Sequence, residues 1–289
     1  MVLGSALTVT GRFCARTRIV KPGVFLFVHK TEGTTIDESF HLFVSGPVDV
    51  DSAPRGWSRV GAHALGQDAG MATGRTQRLR IPSRRLRAEL PVVVRGEGGP
   101  LLVVHDGPEY ARRAALWAAI DRPAHTALLV PVDRDETYSA SAAYARTLVD
   151  EVLPALPGDR PVGVGCSLGA LALLHAHRRH PEAFAGLFLQ SGSFFRRRTD
   201  PQEGGFERFT RVARFVGTVL REPGRPIPVT ITCGLDEENL DNNRAVAAAL
   251  AEQGYDVELH ETRGGHEWPV WRRALRARLP DLLERAWST

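Results

Sequence analysis

The sequence predicts an α/β protein with a mostly parallel central sheet and helices on both faces. Three observations lead there. Short apolar runs such as LLVVH (101–105) and PVGVGC (161–166) read as strands covered on both sides. Between them lie stretches of ten or more residues with helical apolar spacing, and strands that alternate with helices build a parallel sheet. The composition agrees: 289 residues, 43% hydrophobic and 24% charged, supply a sizeable core and exclude a disordered chain.

The elements follow in order. Residues 1–73 are expected to form an amino-terminal accessory segment, β-rich or irregular, with strands at Val24–Val28 and Phe40–Val44 and turn residues around them. Residues 74–289 form the α/β domain. TQRLRIPS (76–83) and ELPVVVRG (89–96) read as adjacent antiparallel strands, and the run 101–105 ends at Asp106-Gly107. A helix is expected from Tyr110 to Ile120, a strand over 126–132, and a long helix over 140–153 stopped by Pro154. The strand 161–166 leads into the helix SLGALALLHAHRRH, and the strand AGLFLQSG follows. Then come a helix near 207–220, a strand at 228–234, a helix at 240–253, a strand at 256–261 and a last helix from about Val270. Reactive groups in such sheets gather at the carboxyl ends of the strands.

Several classes are excluded on composition. No run approaches the roughly 18 apolar residues of a membrane span. The amino terminus has no basic region ahead of an apolar one, so no secretory signal is expected. Cys14, Cys166 and Cys233 are odd in number and far apart, which fits a reducing cytoplasm rather than a disulfide scaffold. The net charge is +4, almost all of the positive charge being arginine, since Lys21 and Lys30 are the only lysines. In ERFTRVARF and RRALRARLPDLLER the arginines alternate with acids, as on a solvated, ion-paired helix face. Arg196, Arg197 and Arg198 form the only triple and no aromatic stacking motif interleaves with it, so no nucleic-acid partner is expected.

The strongest chemical signal is Gly165-Cys166-Ser167-Leu168-Gly169, a G-x-S-x-G sequence between an apolar strand and an apolar helix. The strand must turn sharply into the helix, leaving the Ser167 hydroxyl exposed. Glycines two residues to either side remove side chains that would collide in that turn. The helix amino terminus then aims the Leu168 N–H at a developing oxyanion. Cys166 is read as a buried packing residue.

A serine nucleophile of this type needs an acid and then a histidine later in the chain. His266 lies in a glycine-bearing loop directly after a strand, the right place for a general base, whereas His260 falls within the strand itself. The acid lies in Asp236-Glu237-Glu238, where three carboxylates compete for one role. His175, His177 and His180 have no i, i+4 pair and read as last-turn residues complementing the helix dipole, so no metal or other cofactor is implied. The turn His105-Asp106-Gly107-Pro108-Glu109 is placed to give a second oxyanion donor. Pro108 has no N–H, which leaves Gly107 or Glu109.

Residues from about 74 to the end resemble the esterase group of the α/β-hydrolases. That group includes enterochelin (siderophore) esterases, esterase D-like proteins and mycolyl-transferring proteins of the antigen 85 type. The resemblance lies in HDGPEY, the segment Arg134 to Glu136 before DEVLPAL, GCSLG, LQSGSFF, CGLDEENLDNNR and GGHEWPVWR. It implies an α/β-hydrolase fold, Ser167 as nucleophile, His266 as base and, by alignment on Gly234, Glu237 as acid. Enterochelin esterases carry a longer amino-terminal β-sandwich than residues 1–73 supply, and the mycolyl-transferring proteins are secreted. Substrate therefore does not follow from fold.

The reading favoured by the sequence is a cytoplasmic serine esterase, siderophore esterase-like, acting on a small-molecule carboxylic ester through an acyl-enzyme. The alternatives are an acyltransferase using the same acyl-enzyme and a non-catalytic binding protein on a hydrolase fold.

Overall fold

The computed structural model describes residues 6–9, 40–43 and 76–288. The chain forms two compact units, Met1–Ala69 and Gly70–Thr289. In the first, β1 (Ala6–Val9) pairs antiparallel with β2 (Phe40–Phe43). The strand expected at Phe40–Val44 is β2, whereas the one expected at Val24–Val28 lies outside the described residues.

The second unit is built on eight strands. β3 (Gln77–Ser83) and β4 (Ala88–Arg95) form an antiparallel pair, and β4 runs antiparallel to β6 (His125–Leu129). The remaining strands are parallel: β5 (Leu101–Val104), β6, β7 (Val162–Cys166), β8 (Gly186–Gln190), β9 (Pro228–Gly234) and β10 (Asp256–Thr262). Their order is β10-β9-β8-β7-β5-β6-β4-β3.

Side chains alternate across a strand, and β5 shows why its sequence is apolar throughout. Leu101 and Val103 enter a core shared with α4 (Leu168–Arg179), α5 (Phe209–Val219) and α6 (Leu240–Glu252). Leu102 and Val104 enter the opposite core with α1 (Gly107–Arg113) and α7 (Trp268–Trp287). This is the expected mostly parallel sheet covered on both faces. Among the described residues, no helix is long and apolar enough to cross a membrane.

Two helices differ from expectation. The single helix over Tyr110–Ile120 is instead α1 and a 3-10 turn at Leu116–Ala118, separated by Ala115 at a left-handed φ of 49°. The break lets Ala114 and Leu116 both bury fully with α7 residues. The helix over 140–153 is α3 (Ala142–Thr147) followed by a π turn at Leu148–Val152 and a 3-10 turn at Leu153–Ala155. Pro154 has no N–H to continue an α register, so the last turns rewind. Ahead of them α2 (Arg134–Tyr138) starts on Asp133, whose carboxylate accepts from the Glu136 N–H at 3.0 Å. The arginine-rich helix faces are ion-paired between elements: Arg208 at the N-cap of α5 and Arg211 within it both reach Glu136, and Arg285 on α7 reaches Asp256 at 2.8 Å.

Candidate active site

Ser167 joins β7 to α4 with φ 54° and ψ −124°. An L-residue held there costs about 1–3 kcal/mol, so its surroundings must enforce it. The Ser167 N–H donates to the Gln190 carbonyl at 2.9 Å, and the Ser167 carbonyl accepts from the Leu171 and Ser193 N–H groups, each at 3.2 Å. Glycine is required in the turn. A Cβ on Gly165 would lie 2.7 Å from the Gly169 carbonyl carbon. A Cβ on Gly169 would lie 3.2 Å from His105 Cβ. Leu168 takes the first position of α4, where backbone N–H groups have no partner within the helix. Cys166 is buried, and burial pushes its thiol up to about 12, which keeps it a protonated packing residue.

The loop after β9 turns one carboxylate inward. Glu237 is 8% exposed, while Asp236 and Glu238 face solvent. Its Oε1 accepts from the Ser191 hydroxyl at 2.6 Å and the Gly234 N–H at 2.7 Å, and its Oε2 faces His266 Nδ1 at 2.8 Å. Burial alone would raise its pKa. The bonds from His266, Ser191 and Gly234 outweigh burial and hold the carboxyl below its usual range. His266, in the loop between β10 and α7, rests against Trp271 with ring centroids 4.9 Å apart. The Ser167 hydroxyl is 3.1 Å from the Ser193 hydroxyl. Among the described residues, no hydrogen bond joins it to His266.

On the other flank, Asp106 caps α1 in a left-handed conformation (φ 50°, ψ 36°). The Glu109 N–H donates to the Asp106 carbonyl at 3.0 Å and is thereby engaged. Gly107 is buried at the first position of α1, where a Cβ would meet Leu128 Cα at 2.4 Å. The Asp106 carboxylate takes Arg134 Nε at 3.1 Å and Nη2 at 3.0 Å, so α2 is tied to the end of β5.

The α4 histidines require a correction. His175 is 6% exposed against Phe215, and His177 is fully buried, its Nε2 near the Arg225 carbonyl and the Tyr255 hydroxyl. Burial lowers their pKa to about 3 and about 4, so both are neutral at pH 7 and carry no charge to complement a helix dipole. Among the described residues, no group of three or more His, Cys, Asp or Glu side chains is arranged to hold a metal.

Four residues within the motifs LQSGSFF, GGHEWPVWR and Arg134 to Glu136, to which the sequence assigns no site role, are brought to this region by the fold: Ser191, Ser193, Trp271 and Arg134. The Ser-Gly-Ser after an apolar strand, at the carboxyl edge of the sheet, was the available signal for the first two. Asp133-x-x-Glu136, a helix-start pattern, was the signal for the segment holding Arg134.

The sheet, the strained serine between β7 and α4, and the His–Glu pair beyond β9 define an α/β-hydrolase. Residues 83–282 match the family described as "Putative esterase", and the chain belongs to that family. It is 27% identical over 199 residues to an iron(III) enterobactin esterase of Dickeya dadantii, a match covering 61% of this chain and 46% of that protein. A crystal structure of the enterobactin esterase of Shigella flexneri shares the fold with a TM-score of 0.61 at 23% identity, covering 74% of this chain and 60% of that one. The MPT51 protein of Mycobacterium tuberculosis shares it with a TM-score of 0.58 at 15% identity, covering 73% of this chain and 99% of that one. The chain spans about half the length of the curated relatives it matches.

Proposed function

We propose that the chain is a serine esterase whose nucleophile is Ser167, whose base is His266 and whose acid is Glu237. The observation that carries this reading is the 2.8 Å contact of Glu237 Oε2 with His266 Nδ1 beside a strained serine elbow. A carboxylate can only accept there, so Nδ1 carries the proton and Nε2 keeps the lone pair a general base needs. Ser167 leaves Ser193 by rotating its side chain, attacks the ester carbonyl, and passes its proton to His266. The imidazolium protonates the departing alcohol, and water then hydrolyses the acyl-enzyme by the same route. The Leu168 N–H is one oxyanion donor. Gly107 is favoured over Glu109 as the second, because the Glu109 N–H already serves the Asp106 carbonyl.

The names of the curated relatives favour a siderophore ester, of the catecholate trilactone kind, as substrate. The spacing of the cysteines favours the cytoplasm. Residues 74–289 are the catalytic domain in this reading, with 1–73 as its accessory segment.

A fluorophosphonate probe tests the nucleophile, and hydrolysis of short p-nitrophenyl esters and of a catecholate trilactone tests the substrate class. Covalent label on Ser167 with trilactone hydrolysis is expected. Absence of label points to a binding protein, and product found on an added alcohol points to an acyltransferase.

A further inference from the structure

Behind the His266–Glu237 pair runs a second line of hydrogen bonds. The Trp271 indole N–H donates to Ser191 Oγ at 2.8 Å, and the Ser191 hydroxyl donates to Glu237 Oε1 at 2.6 Å. Chemistry fixes the direction. An indole nitrogen only donates, so it takes an acceptor position on the hydroxyl and sends the single hydroxyl proton to the carboxylate. Ser191 is fully buried and Trp271 is 6% exposed, so both lie behind the reacting groups.

Ser191 is itself pinned. Its N–H donates to the Thr232 carbonyl at 2.7 Å, its carbonyl accepts from Asn239 Nδ2 at 3.3 Å, and its φ is 48°. Trp271 also meets the imidazole directly, edge against face, with an interplanar angle of 85°. Trp268 packs against Trp271 edge to face, with ring centroids 4.9 Å apart. One indole therefore touches the His266 ring and, through a single hydroxyl, the carboxylate that faces that ring.

We propose that Ser191 and Trp271 are positioning residues for the His266–Glu237 pair. Trp271 orients the Ser191 hydroxyl and sets the imidazole plane. Ser191, with the Gly234 N–H, occupies Oε1 and so presents Oε2 to His266 Nδ1. Removing the Ser191 hydroxyl leaves a buried carboxylate one donor short and free to turn. The proposal rests on the Ser–His–Glu reading above and adds to it how the acid is held.

The test compares Ser191→Ala, Ser191→Gly and Trp271→Phe in the full chain. Glycine accommodates the positive φ, which keeps the experiment informative if alanine folds poorly. With a p-nitrophenyl ester, both Ser191 variants are expected to lower kcat by about 10- to 100-fold, the range for a hydrogen bond to a charged group. KM stays unchanged, and the deshielded proton NMR resonance of His266 Nδ1–H moves. Trp271→Phe, which keeps a ring but loses the N–H, shifts both readouts less and in the same direction. In a Glu237→Gln background, Ser191→Ala costs little more, because the two act as one unit. Wild-type kcat in the Ser191 variants, or a loss that multiplies in full with Glu237→Gln, overturns the proposal and leaves Ser191 a packing residue. Full activity in Glu237→Gln and His266→Ala would instead remove the triad itself, and the positioning role with it.

Discussion

His105 Nδ1 lies 3.0 Å from the carbonyl of Gly169, binding the end of β5 to the first turn of α4. Because a carbonyl only accepts, Nδ1 holds the proton and Nε2 takes the Tyr144 hydroxyl at 2.9 Å. The imidazole is fully buried and stacks on Tyr138 at 4.5 Å, and burial lowers its pKa to about 4. It belongs, with His175 and His177, to a set of histidines folded in the neutral state.

That set makes stability depend on pH. An unfolded histidine titrates near about 6.5, whereas these three take up a proton only near 3 to 4 in the folded chain. Between those values the unfolded state binds more protons, so stability is full above about pH 6.5 and falls as the pH drops towards 4. Thermal unfolding across that range should show the decline, and His175→Leu should make it shallower. A slope unchanged in the variant would show that His175 is not among the groups responsible.

Ser167→Ala and His266→Ala are each expected to lower esterase activity by about three orders of magnitude or more. The double variant should be little worse than either single one. Losses that simply multiply would contradict a shared proton transfer.

Among the acids, Glu237→Gln should be the damaging change. Asp236→Asn and Glu238→Gln alter exposed carboxylates and should leave kcat within a few-fold of the parent. Steady-state kinetics on the three variants decide the matter. If Asp236 or Glu238 proves essential, the resting arrangement around His266 is not the working one.

Gly165→Ala should destabilise the fold and abolish activity together. Its Cβ would lie 2.7 and 2.8 Å from the Gly169 carbonyl carbon and oxygen, and backbone there cannot give way without opening the elbow. Overpacking of this kind costs about 1–3 kcal/mol. Gly204→Ala is the matched control, with nothing within 4 Å of the new methyl, and should be near neutral. Unfolding temperatures of the pair provide the comparison.

Much of this architecture is legible in the sequence because burial on both faces forces continuous apolar strands, as in β5 and β7. The break at Ala115 is not, since an alanine run carries no glycine or proline to mark a left-handed residue. Around the candidate site, a local motif singles out Ser167, and a glycine-rich loop singles out His266. Glu237 is different. Three adjacent carboxylates are equivalent in sequence, and what separates them is contact with Gly234 and Ser191. The Ser191 contact spans 46 residues, and the Trp271 contact with Ser191 spans 80. Such partners meet only through the crossover of β8 beside β9, which no local pattern records.

The strand order gives the proposed reaction a handedness. β7 lies between β5 and β8, so Ser167 has Gly107 beyond one shoulder and the His266–Glu237 pair beyond the other. A planar ester carbonyl that turns its oxygen towards β5 and its departing alcohol towards β9 offers only one of its two prochiral faces to Ser167. Mirror-image alcohols would then meet the wall formed by His266 and Trp271 differently. If the proposed esterase reaction holds, racemic esters of secondary alcohols should be resolved, with the preference set on the α7 side of the sheet.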